Sequence, residues 1–166
     1  MKRIDPIILG IIIVSILVVG GIIAVVSSSQ AQPIPQYQAS DLEKPKVEIN
    51  ETSFDFGSMK LSETKEKEII LRNSGTKPMF LSDIVTSCDC TFAQVTAAGQ
   101  TSKRFSMRRD SSFRAEVPPN ETAAIKIIYE PRLMPVKGKV SRSVVIKTND
   151  PDRSLITINF TADVQP

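Results

Sequence analysis

The sequence predicts an all-β chain, a two-sheet antiparallel sandwich behind one N-terminal transmembrane helix. Three observations carry that reading. Apolar residues alternate with period two from Val47 onward, turn-forming clusters interrupt the alternation, and a charge-free apolar run precedes all of it. About seven short strands in roughly 100 residues, with no amphipathic helix between them, fit a sandwich; a small closed barrel is the runner-up.

The N-terminal run comes first. Residues 7–26 are twenty positions, sixteen of them Ile, Val, Leu or Ala. As a helix at about 1.5 Å per residue they reach roughly 30 Å, the thickness of a bilayer's hydrocarbon core. Lys2 and Arg3 precede the run and no positive charge follows until Lys44. The positive-inside rule then puts the N-terminus in the cytoplasm and the rest of the chain outside it. Ser29-Gln30-Ala31 offers small residues at cleavage spacing, but a cleaved signal has an apolar region of only about 7–15 residues. An uncleaved anchor over residues 1–26 is therefore expected, single-pass in the cytoplasmic membrane. Residues 27–46 read as a linker, with Pro33, Pro35, Pro45, a Ser run and four Gln. Such text forms a semi-extended spacer, expected to hold the domain off the membrane.

The domain is then 47–166. Its last strand is the clearest: Ile156, Ile158, Phe160, Ala162 and Val164 alternate with Thr157, Asn159, Thr161 and Asp163. Ile125, Ile127 and Tyr129 alternate likewise, as do Val144 and Ile146 within residues 140–148. Earlier candidates are residues 47–49, 54–56, 67–73 and 79–86. Turns fall at residues 73–75, 117–120, 135–138 and 149–152. Gly75 is expected to supply positive φ in its turn, and Phe54 and Phe56, two apart, to share the core face.

Composition excludes several function classes. There is no His, hence no Ser-His-Asp triad and no His-ligated metal. Seven glycines form neither a GxGxxG nor a P-loop pattern. The formal charge of +3 falls to +2 once Lys2, Arg3 and Asp5 are set aside, which gives no strong pull toward nucleic acid.

Five segments form an ordered set: Phe54-Asp55-Phe56-Gly57, Leu71-Arg72-Asn73-Ser74-Gly75-Thr76-Lys77-Pro78, Thr86-Ser87-Cys88-Asp89-Cys90-Thr91, Pro119-Asn120-Glu121-Thr122 and Lys147-Thr148-Asn149-Asp150-Pro151. Together they resemble the bacterial domain-of-unknown-function family 1573, immunoglobulin-like modules akin to the Hydin and major-sperm-protein domains. The resemblance spans residues 47–164. It implies an exported Ig-like sandwich and no established activity.

Cys88-Asp89-Cys90 is the one constellation with chemical potential, and three readings stand open. The sulfurs form a local disulfide in an oxidising compartment, which needs a bend because i and i+2 Cα atoms in a strand are more than about 6.5 Å apart. Or the thiolates hold a soft metal such as Cu(I), helped by Met107. Or both are thiols buried in the sandwich. A CxC without a second pair or a His is a weak metal signal, and a thioredoxin-type enzyme would want CxxC at a helix N-terminus.

Between Thr91 and Val117 the resembling family usually has a shorter connection, and the added length here includes the basic 100–115 segment. It carries Lys103, Arg104, Arg108, Arg109 and Arg114 against Asp110, with Phe105 and Phe113 interleaved. Its functional reading is a contact for an acidic partner: lipid headgroups, a wall polymer or an envelope protein. Its plain reading is a solvated loop whose phenylalanines pack back, dispensable for folding. The expected function is a membrane-anchored binding or structural module, not an enzyme, with no resident cofactor. The alternative is a copper or thiol-redox protein using Cys88 and Cys90.

Overall fold

The computed structural model describes residues 6–28 and 33–166. They divide into two compact units, Met1–Pro33 and Ile34–Pro166. In the first, α1 (Pro6–Ser28) is 23 residues long with no acid in its first turn and no base in its last. Its described side chains are residues 7–8 and 10–21, all exposed. Among the described residues no helix is long and apolar enough to cross a membrane. Parts of the span expected over 7–26, the flanking Lys2 and Arg3 and the small residues before Gln32 lie outside what is described.

The second unit is an all-β sandwich of ten strands: β1 (Val47–Ile49), β2 (Ser53–Lys60), β3 (Lys65–Asn73), β4 (Met79–Thr86), β5 (Thr91–Ala97), β6 (Gln100–Thr101), β7 (Arg114–Val117), β8 (Thr122–Tyr129), β9 (Gly138–Thr148) and β10 (Leu155–Gln165). One sheet runs β1-β3-β8-β5-β6 and the other β2-β10-β9-β4-β7. The first is antiparallel throughout, while the second is mixed because β2 lies parallel to β10. That corrects the all-antiparallel expectation. Strands so distant along the chain share no hairpin that would fix their relative direction.

The seven expected strands are present, and three more lie between Thr91 and Val117. β5 buries Thr91, Ala93, Val95 and Ala97 and turns Phe92, Gln94 and Thr96 outward. With small residues inward and Phe outward, it does not look like an alternating strand in sequence. A two-residue turn joins it to β6, with Ala98 at φ 49° and Gly99 at φ 75°, the pair of positive values that a type I′ hairpin requires.

The core lies between the sheets, where Ile69, Leu71, Ile125 and Ile127 face Leu81, Ile146 and Ile158. At one end Phe54 and Phe56 are half-buried against Phe160, with ring centroids at 5.5 and 5.1 Å, and Tyr129 packs on Phe160 at 5.3 Å. Such ring pairs add to the burial of each side chain.

At the other end three buried polar side chains fasten loops. Asn73 accepts from the backbone N–H of Lys46 (3.2 Å) and Gly75 (3.0 Å) and donates to the carbonyls of Lys77 and Val117. Asn149 accepts from Phe80 N–H at 2.8 Å and donates to the carbonyl of Pro35. Asp150 accepts from Val47 N–H at 2.8 Å and Asp152 N–H at 2.9 Å. These residues belong to the quoted motifs, and each satisfies backbone groups that burial would otherwise strand.

The same bonds change the reading of residues 34–46. From Ile34 the chain belongs to the sandwich unit, with Pro45 buried and Thr76 N–H donating to Lys44 O at 3.0 Å. Gly75 is needed there for a different reason from the one expected. It is not among the positive-φ residues; instead a Cβ on it would lie 2.7 Å from the carbonyl carbon of Pro45 and nearer still to Lys44 O and Lys46 N. Gly75→Ala should therefore lower stability by about 1–3 kcal/mol, read as a drop in the thermal midpoint; an unchanged midpoint would contradict the close approach.

Candidate functional site

The cysteine pair lies where the chain crosses from one sheet to the other, between β4 and β5. Ser87 and Ser143 still pair, N–H to O at 3.0 Å, and Glu130 N–H donates to Cys90 O at 2.8 Å. A turn between them, closed by Thr91 N–H to Cys88 O at 3.1 Å, brings the Cα atoms of Cys88 and Cys90 to 5.2 Å. That is inside the range a disulfide spans, and the two sulfurs are bonded. Thr86 Oγ1 lies 2.9 Å from the carbonyls of Cys88 and Thr91, and Thr91 Oγ1 is 3.3 Å from Cys88 Sγ. Cys88 is 5% exposed and Cys90 fully buried.

In this state neither sulfur is a thiolate donor. Met107 follows Ser106, whose carbonyl accepts from Thr86 N–H at 3.1 Å, and its side chain is half exposed. Among the described residues no group of three His, Cys, Asp or Glu side chains could hold a metal ion.

The basic segment is sewn to the sandwich along most of its length. Phe105 pairs with Ala93 through two backbone bonds of 2.8 and 3.0 Å, its ring is buried, and Phe113 packs on it at 4.5 Å. Three of its five basic residues lie near acids among the described residues. Lys103 pairs with Asp110 at 2.6 Å, and Arg104 pairs with Glu130 at 2.9 Å while lying over the Phe92 ring. Arg109 is 3.9 Å from Asp83. The Lys103 ammonium, with the Ser112 hydroxyl and N–H, holds the Asp110 carboxyl well below the usual carboxylate range. Glu130 is nearly buried and also meets Arg132 at 3.3 Å. Arg108 is exposed and pairs with no acid among the described residues. Lys103, Arg104, Arg108 and Arg109 border one open hollow with Ser111 and Ser112, whereas Arg114 stands on β7 beside a separate cleft. The geometry thus gathers four of the five predicted basic residues.

One polar feature escaped the sequence reading. Arg142 is opposite Phe160 in the β9–β10 register, so it occupies a core-facing position between Val140 and Val144. Its Nε and the Tyr129 hydroxyl are buried without hydrogen-bond partners among the described residues. Burial pushes the Tyr129 phenol up, against the pull of the Arg142 cation. The alternation of Val140, Val144 and Ile146 already placed residue 142 inward, which was the available signal.

Residues 45–163 match the model of the HYDIN/CFA65/VesB-like Ig-like domain. No curated protein matches the chain. Among solved structures, a protein of unknown function from Porphyromonas gingivalis W83 is similar, with TM-score 0.56 and 22% identity over 73% of this chain and 47% of that one. This chain therefore spans about half the length of that protein. A PapD-like domain (domain 7) of human CEP192 matches with TM-score 0.45 and 20% identity, over 79% of this chain and 96% of that one. A family 123 glycoside hydrolase from Clostridium perfringens matches with TM-score 0.48 and 9% identity, over 74% and 27%. The first of these likenesses is one of fold alone.

Proposed function

The chain belongs to the HYDIN/CFA65/VesB-like Ig-like domain family, and we propose that it is a membrane-anchored, extracytoplasmic binding module of that family, without enzymatic activity. The finer placement is in the bacterial domain-of-unknown-function family 1573, on its five ordered motifs. The observation that carries the reading is the charge-free apolar run over residues 7–26. Its twenty residues would reach about 30 Å as a helix; the described part of α1 alone is not long and apolar enough to cross a membrane, but its Ile11, Ile12, Ile13, Val14, Leu17 and Val18 side chains are exposed on every side. A helix apolar all round needs an apolar environment, and a bilayer supplies one. Lys2 and Arg3 ahead of it favour a cytoplasmic N-terminus.

The candidate binding surface is the basic 100–115 segment, which has charge to offer an acidic partner. The copper reading of Cys88, Cys90 and Met107 applies only to a reduced chain, because the bonded sulfurs lack thiolate lone pairs for a metal. The topology has a direct test. Protease added to cells permeabilised only outside the cytoplasmic membrane should remove the sandwich unit and leave a short membrane-bound fragment. Full protection would overturn the orientation.

A further inference from the structure

The basic segment lies beside the point where the chain enters the sandwich unit. Ile34, the first residue of that unit, lines a cleft of about 130 Å3 together with Asp83, Ser111 and Phe113. In sequence, residues 29–33 lie between the end of α1 and Ile34.

The uncompensated charge is also near that point. Lys103 and Arg104 are engaged by Asp110 and Glu130, but Arg109 is 66% exposed at 3.9 Å from Asp83. Arg108 is exposed with no acid partner among the described residues, and Met107 beside it is 50% exposed. Met-Arg-Arg therefore presents an apolar side chain with two guanidinium groups, a combination suited to a headgroup layer.

Resting on the reading of α1 as an anchor, we propose that residues 107–109 dock on anionic phospholipid headgroups of the membrane that α1 enters, laying the domain against the bilayer. The attraction acts only within a Debye length of the headgroups. A second exposed apolar group, Leu133, Met134 and Val136, competes for the role. It precedes Gly138 at the start of β9, whereas the Ile34 cleft includes Lys147, Thr148 and Asn149 at the other end. Those ends are roughly 30 Å apart along the strand.

The chain has no Trp, so Met107→Trp and Met134→Trp each introduce a sole indole at an exposed site. Each full-length variant is reconstituted into phosphatidylcholine vesicles with or without phosphatidylglycerol, both carrying a headgroup-labelled quencher lipid. The indole at position 107 should be quenched only with phosphatidylglycerol, and the one at 134 in neither. Raising salt from about 0.15 to about 1 M shortens the Debye length from roughly 8 to 3 Å and should relieve the quenching. Adding Arg108→Gln and Arg109→Gln to the Met107→Trp chain should cut the docked population roughly thirty-fold, at about 1 kcal/mol per charge. Quenching at 134 instead of 107, or quenching at 107 that ignores phosphatidylglycerol, would overturn the docking. Flotation of the alkali-washed vesicles separates the two readings. A chain that floats with position 107 unquenched loses the docking and keeps the anchor, and a chain that does not float loses both.

Discussion

Phe160→Asp should leave no folded sandwich at room temperature. The ring is fully buried in β10 and touches Phe54, Phe56 and Tyr129. A carboxylate there loses those contacts and has no hydrogen-bond donor provided for it, a cost of several kcal/mol against a typical stability of about 5–15. The control is Thr157→Asp, on the exposed face of the same strand opposite Val145. Thr161 is a poorer control, because its hydroxyl donates to Asp55 and a second carboxylate there would repel the first. Circular dichroism melts of the two variants decide the matter. Equal melting would mean that the β10 register is wrong.

Replacing residues 100–115 with a short Gly-Ser loop should also destroy the fold, contrary to what a solvated loop would allow. The replacement removes the buried Phe105, for which truncation to Ala alone costs about 3–5 kcal/mol. It also removes the backbone bonds from Phe105 to Ala93 and from Ser102 to Val95, and two of the four residues of β7. A smaller replacement, residues 107–109 with Gly-Ser-Gly, should cost little because those side chains are exposed. Denaturant midpoints for both chains test the contrast. A wide deletion as stable as the narrow one would show that Phe105 adds nothing to the core.

The contrast shows what alternation can and cannot reveal. Seven strands were legible because apolar residues recur at every second position between turn signals, most cleanly at residues 156–164 of β10. β5 was not, because its inward residues are small and Phe92 faces out under Arg104. β6 and β7 are too short to show a period. The parallel direction of β2 depends on pairing across about a hundred residues, which no local pattern encodes. Residues 34–46 read as free spacer because they have little to bury. They are held instead by backbone bonds to Asn73 and Asn149 and by ion pairs such as Lys44–Asp152.

The candidate site divides in the same way. The five basic residues were visible as a local excess of charge. That Glu130 engages Arg104 and that Asp83 lies near Arg109 was not, because those acids come from the end of β8 and from β4. The Cys88–Cys90 motif was visible as well. The turn that lets the two sulfurs meet depends on where the sheets place Thr86 and Thr91, and periodicity says nothing of that.

The central claim, an Ig-like module held to the membrane by its own uncleaved N-terminal helix, is tested most directly by the intact mass of the protein recovered from alkali-washed membranes. The expected result is a chain that still carries residues 1–31 and is retained with the membranes. A chain beginning at Gln32 and released into the soluble fraction would contradict it.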